Sequence, residues 1–450
     1  FFYLLYKKTN SVLNNMLFTS IEFLFFMLFV VFLFWGVFSK SLNSQNIFIV
    51  VISVAFYALF DLHFVTLLLT SCVSSYIGGY YIDKLYKAGS KDLILRPKTI
   101  LIFTLIINLG ILFYFKYFNF FISSFIDFSK FFGLKISYNF IKIILPVGIS
   151  FYTFTSLSYV FDIYFRKIKA TKNILGFLSY VTFFPSLLSG PISRAEFQLP
   201  QYLKLRSFNI NQALSGCKML IFGYFMKLCV ADRLGLYVDT VYDNFEHHNG
   251  STLLLTAVLY SIQIFADFGG YSLMGIGCGK ILGINLQTNF RRPYFAFTIT
   301  DFWRRWHMSL TNWFRDYVYF PLGGNRVPKA KAMTNILVVF LISGIWHGAA
   351  YSFVVWGLIH AVILIVEKKL YSKKRKYFNN NFSLINILRG LFTFSIVTIA
   401  WIFFRVENFD QATQIILKIL NSSGSIFIDK SVFSHASISI FILFIYDLHN

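Results

Sequence analysis

The sequence predicts an all-α, polytopic membrane protein with about ten to twelve transmembrane or re-entrant helices. Three observations carry this. Hydrophobic residues make up 57% of the chain and charged residues only 13%, far from the balance of a water-soluble domain. Apolar runs recur along the whole length. Charge collects in a few short basic loops, so the formal net charge of +22 reads as loops held against anionic lipid. Nucleic-acid binding is excluded, because no polar basic domain exists to carry it.

In chain order the apolar runs are Ile21–Phe38, Ile47–Phe60, Phe64–Ile82, Thr99–Tyr117, Ile141–Phe165, Ile174–Leu188, Met219–Val230, Ser251–Phe268, Asn335–Val366, Leu388–Phe404 and Ile438–Tyr446. Phe118–Gly133, aromatic with interspersed polar groups, suits a helix lying in the outer interface. The loops Asp83–Lys98, Arg166–Lys172 and Glu367–Lys376 hold the basic clusters and are expected on the cytoplasmic side, which puts the N-terminus outside. Residues 1–15 read as a non-native extension ahead of a start at Met16, and residues 16–450 as one domain whose C-terminus is truncated. Cys72, Cys217, Cys229 and Cys278 form no CxxC pair and read as small core residues; no metal site is expected.

Asn335–Val366 has no Asp, Glu, Lys or Arg, yet carries His347 between Trp346 and Gly348. The run exceeds the roughly 20 residues that cross a bilayer, so a broken or strongly tilted helix is expected. Gly344 and Gly348 would form a bare stripe open to another backbone or a substrate. An imidazole in such a place is costly unless it has a partner or a task.

Asp301–Arg326 is dense in charge and aromatic rings. On a single helix, Trp303, His307, Leu310 and Phe314 share one face, with Arg304, Arg305 and Asn312 on others. The plain reading is an interfacial helix with Trp anchors and headgroup-binding arginines. The functional reading is a substrate wall with a second histidine. Arg291 and Arg292 join the arginines as candidates for phosphates. Gly275–Gly283 is not a P-loop, since Met274 stands where the first glycine belongs and Ile281 follows Lys280. Leu145–Tyr159 has hydroxyls but no Gly-x-Ser-x-Gly elbow. His63, His247, His248, His360, His435 and His449 read as structural or solvent-exposed.

Several motifs together resemble the membrane-bound O-acyltransferases, in the bacterial branch that acetylates alginate. They are Leu145–Tyr152 (LPVGISFY), Phe183–Ile192 (FFPSLLSGPI), Phe265–Ser272 (FADFGGYS), Phe302–Leu310 (FWRRWHMSL), Arg315–Arg326 (RDYVYFPLGGNR), Trp346–Ala349 (WHGA) and Trp401–Arg405 (WIFFR). The resemblance implies helices around a central tunnel, in the bacterial plasma membrane. It implies catalysis by His347 with His307 as its companion, and makes Trp303, Arg304, Arg305, Ser309, Asn312 and Trp346 substrate-binding candidates. No cofactor is expected to be permanently bound; the donor would be acetyl-CoA or a carrier-protein acyl thioester. Expected partners are an exported glycan acceptor, an extracytoplasmic acetyltransferase protein and membrane lipids. D-alanyl transfer to teichoic acid is the sister activity. The rival class is a transporter or flippase with His347 as proton relay, disfavoured because the sequence shows no paired intramembrane carboxylates.

Overall fold

Helix starts are written locally. Ser20, Ser41, Asn173, Thr298, Ser383 and Asn408 each accept a backbone N–H of the first turn that follows, and Pro97 opens another helix. The structure is a computed structural model that describes residues 17–88, 96–134, 136–138, 140–371, 383–406 and 408–449. The proposed start at Met16, the extension before it, and parts of two basic loops (89–95 and 372–376) lie outside the described residues.

Among the described residues there is no strand. The helices are α1 (Ile21–Gly36), α2 (Leu42–Ala58), α3 (Leu62–Ala88), α4 (Pro97–Phe131), α5 (Ile149–Tyr164), α6 (Ile174–Thr182), α7 (Phe184–Leu187), α8 (Ala195–Tyr202), α9 (Ile210–Tyr224), α10 (Asp232–Asp243), α11 (Gly250–Ile281), α12 (Ile299–Arg305), α13 (Met308–Phe314), α14 (Lys329–His347), α15 (Tyr351–Tyr371), α16 (Leu384–Arg405), α17 (Phe409–Asn421) and α18 (Lys430–His449). A π-helical segment, Phe225–Ala231, joins α9 to α10. Six helical stretches are long and apolar enough to cross a membrane, and three shorter apolar helices accompany them among the described residues. The chain is an all-α, multi-pass membrane protein.

Two expectations about helix extent are corrected. Phe118–Gly133 is not a separate interfacial helix: α4 runs unbroken for 35 residues, because no proline interrupts it after Pro97. At 1.5 Å per residue it measures about 50 Å, more than the roughly 30 Å hydrocarbon core. The run Ile141–Phe165 is helical only from Ile149, because Gly148 takes a left-handed φ of 74°. A Cβ there would press on the Leu187 carbonyl oxygen at 2.5 Å.

The chain divides into two compact units, Phe1–Leu220 with Met274–Gln287, and Ile221–Leu273 with Thr288–Asn450. In the first, α3 packs against α4 and α5, and α2 against α6. Some of its buried polar groups pair with one another. Gln45 Oε1 accepts from Arg206 N and Nε, both at 3.0 Å, and Asn46 Oδ1 accepts from Arg206 Nη2 at 2.7 Å. An arginine that apolar surroundings would reject is thereby held by two amides.

In the second unit α14 and α15 form an antiparallel hairpin. The break expected in Asn335–Val366 falls at Gly348–Ala350. Gly344 and Gly348 do not share a helix stripe, because α14 ends at His347 and Gly348 is extended. The close approach belongs to Gly344 and Gly357. A Cβ on Gly344 would collide with the Phe353 carbonyl, and one on Gly357 with the Phe340 carbonyl. Asp232 and Asp267, 35 residues apart, meet on Lys227 Nζ at 2.5 and 2.7 Å. The lysine offsets their charge, which suits a structural ion cluster.

Candidate active site

The site is built from the second unit alone. Its first part is a break in the Asp301–Arg326 segment, where a single helix was expected. α12 stops at Arg305, Trp306 is extended, and His307 adopts a left-handed φ of 41° before α13 begins. The cause is a strap of chain, Asn289–Arg291, that replaces the helical ladder. Asn289 O accepts from Met308 N at 2.8 Å, and Arg291 N donates to Arg305 O at 2.9 Å. A left-handed histidine costs about 1–3 kcal/mol and persists only where its surroundings over-determine it. Glu367, at the end of α15, fixes the other end of α12 by accepting from Ile299 N and Thr300 N at 2.6 and 2.9 Å.

The ring of His307 is buried at 1% exposure. Asn289 Nδ2 donates to the Ser272 hydroxyl at 2.9 Å, and its Oδ1 accepts from the Ser309 hydroxyl at 2.6 Å. Oδ1 also faces His307 Nδ1 at 3.3 Å and there can only accept. The proton of a neutral His307 therefore sits on Nδ1. Nε2 keeps its lone pair and has no hydrogen-bond partner among the described residues. Burial holds this imidazole well below its ordinary pKa, so it is neutral.

The second part is the aromatic wall. The Trp346 indole packs on both histidines, with centroids 6.1 Å from His307 and 4.8 Å from His347. His347, buried at 9% exposure, also meets the edges of Trp356 at 5.0 Å and Phe404 at 5.1 Å. Phe268 packs on the His307 ring at 4.6 Å. Both imidazoles are thus enclosed by side chains of this unit rather than turned outward.

His307, His347 and Trp346 come together although 40 residues separate the two histidines. Ser309 joins them through Asn289. Trp303 reaches the site only indirectly. It packs on Trp356 and donates to His360 Nδ1 at 3.4 Å. Arg304 and Arg305 line a cleft of about 330 Å³ with Arg291, Arg292, Asp301 and Met308. Asn312 is half-buried, and no contact between its side chain and either histidine is observed. His360 is fully buried in the aromatic packing. The residues that sequence reasoning missed are Asn289 and Ser272. Ser272 closes the Phe265–Ser272 motif, but nothing in the spacing of either residue signals a contact with a histidine.

Comparison with known proteins decides the identity. The model of the MBOAT, membrane-bound O-acyltransferase family, matches residues 166–406. The chain belongs to the membrane-bound O-acyltransferase family. It is 33% identical over 401 residues to the "probable alginate O-acetylase AlgI" of Pseudomonas putida, covering 89% of this chain and 79% of that protein. It is 31% identical over 415 residues to the peptidoglycan O-acetyltransferase of Helicobacter pylori, covering 86% and 76%. A teichoic acid D-alanyltransferase of Bacillus subtilis is 29% identical over 274 residues, covering 58% of this chain and 69% of that protein. This O-acyltransferase carries both histidines, at His307 and His347, inside the span that the family model matches.

Proposed function

We propose that this enzyme transfers acetyl from a cytoplasmic thioester to hydroxyls of an exported glycan, directly or through an extracytoplasmic acetyltransferase partner, in the bacterial plasma membrane. The observation that carries the chemistry is the shared Trp346 between two enclosed imidazoles. The acetylases among the relatives support the acyl group and the acceptor class.

In this reading His347 takes the proton of the acceptor hydroxyl as its oxygen attacks the thioester carbonyl. The C–O bond forms, the C–S bond breaks, and the departing thiolate takes up the proton. A positioned base contributes about 10²–10⁴-fold to such a step. His307 acts from the other side of Trp346. With its proton committed to Asn289, Nε2 can only accept, so it orients the incoming hydroxyl and does not hold the thioester carbonyl. Trp346 walls the site, and Arg304 and Arg305 hold the donor.

The test is mass spectrometry of envelope glycans from cells expressing wild type, His347→Ala or His307→Ala at equal membrane levels. The expected result is loss of ester with His347→Ala and a large reduction with His307→Ala. Undiminished ester with His347→Ala overturns the reading.

A further inference from the structure

The ladder of rings in the second unit does not end at His347. His307, Trp346, His347, Trp356, His360 and Trp303 follow one another, so that imidazole and indole alternate throughout. Successive centroids lie 6.1, 4.8, 5.0, 5.1 and 5.0 Å apart. Trp356 thus stands between two imidazoles, as Trp346 does. It meets His347 at 83° and His360 at 71°, and Trp401 stacks on it at 5.9 Å. Trp356 and His360 are both fully buried, and they sit about one turn apart on α15. Gly357, between them, brings α15 against the Phe340 carbonyl of α14.

His360 is polar where its neighbours ask only for a ring. Phe302 and Phe340 flank it at 6.4 and 6.3 Å. Its Nδ1 accepts from Trp303 Nε1 at 3.4 Å, and an indole nitrogen can only donate. That bond excludes the imidazolium form and puts the proton of a neutral ring on Nε2. Nε2 has no hydrogen-bond partner among the described residues. A donor buried in this way costs about 1–3 kcal/mol, and His360→Phe with Trp303→Phe would fill the same space without it. With Nδ1 occupied and Nε2 protonated, His360 has no lone pair to offer. It cannot serve as a base, in contrast to His307.

We propose that His360 is a positioning residue for acyl transfer: fixed by Trp303, it backs the Trp356 indole that sets the imidazole of His347. The inference deepens the acetyl-transfer reading above and rests on its assignment of His347. His347 closes α14 and Gly348 after it is extended, so the ring is braced by its neighbours and not by a following helical turn. Trp346, Trp356 and Phe404 are those neighbours. A general base must come within about 2.6–3.2 Å of the group whose proton it takes, so a small swing of the ring loses the step. The two ends of the Trp303–His360 bond are held in register by backbone contacts. Trp303 lies on α12, and Glu367 of α15, the helix of His360, caps the start of α12.

The experiment uses membrane vesicles that carry the full chain and the cell's own envelope glycan. Labelled acetyl-CoA is supplied, and kcat and KM are read from ester formation at equal protein levels. His360→Phe keeps a ring and removes the acceptor. It should lower kcat about ten- to a hundredfold and leave KM unchanged. It removes one orphan donor, on Nε2, and makes another, on Trp303, so the melting midpoint should stay in place. Trp303→Phe should give the same loss of kcat, and the two together no more than either alone, because both break one bond. His360→Asn, whose Oδ1 can take the place of Nδ1, should recover part of kcat. Nitrogen NMR of indole-labelled protein in nanodiscs reads the bond itself. The resonance that Trp303→Phe removes should shift in His360→Phe and return towards its place in His360→Asn. An unchanged kcat in His360→Phe overturns the inference, and so does an indole resonance that does not move. A kcat that falls only in step with the melting midpoint, in His360→Phe and His360→Asn alike, reduces His360 to packing and overturns it too. The two proposals fail separately. His347→Ala that still forms ester sinks the acetyl-transfer mechanism, whereas transfer that needs His347 and ignores His360 sinks only the positioning role.

Discussion

Asn289 Oδ1 stands 3.3 Å from His307 Nδ1 and 2.6 Å from the Ser309 hydroxyl, so one buried amide fixes both a ring tautomer and the start of a helix. Asn289→Ala removes the acceptor and leaves an N–H buried without a partner. Losing such a bond costs about 1–3 kcal/mol, which is roughly a ten- to hundredfold fall in acyl transfer. Initial rates of ester formation in reconstituted vesicles check it. Asn289→Asp should act differently. A carboxylate beside the ring favours imidazolium, so the acidic limb of the rate profile should move to higher pH.

Burial also makes His307 a source of acid instability. Its folded pKa lies below its unfolded one, so the unfolded chain binds more protons. The contribution to stability is fully present above the unfolded value of about 6.5 and is lost as pH falls below it. The melting midpoint in detergent should therefore drop between pH 7.5 and pH 5.5. His307→Gln should show a smaller drop, and an equal drop would remove His307 as a cause.

Trp346 separates wall from chemistry. Trp346→Ala opens a cavity between two imidazoles and should cost about 3–5 kcal/mol of stability. Trp346→Phe keeps a ring there and should lose less stability. If Trp346→Ala leaves both the melting midpoint and the transfer rate intact, the wall has no role.

The α14–α15 hairpin permits no side chain at Gly344. Gly344→Ala drives a Cβ into the Phe353 carbonyl and should destabilise by about 1–3 kcal/mol through overpacking, displacing His347 three residues on. Gly110→Ala is the control, because nothing lies within 4 Å of its added Cβ. Its melting midpoint should be unchanged or slightly higher.

Arg405 anchors the helix that carries Phe404 against His347. Its Nη2 lies 2.6 Å from Asp239 Oδ1. Arg405→Met strands a largely enclosed carboxylate and should destabilise by up to about 3 kcal/mol, whereas Arg405→Met/Asp239→Leu should recover much of the loss. A double variant as unstable as the single one would rule out the pair as the cause.

Much of this protein was legible in its residues. Hydropathy alone gave an all-helical membrane chain, because a backbone in lipid must satisfy its own hydrogen bonds and an apolar run states that demand locally. The break after His347 could be expected from the length of Asn335–Val366, and the family from motifs whose residues are contiguous. The environment of the two histidines was different. The tautomer of His307 depends on Asn289 and Ser272, and the approach of His307 to His347 depends on Trp346. The bend that frees His307 from its helix comes from a strap 16 to 18 residues upstream. Hydropathy and capping act within a few residues and can be read in a line. Hydrogen bonds between distant segments cannot, because only the packed chain decides which amide reaches which ring.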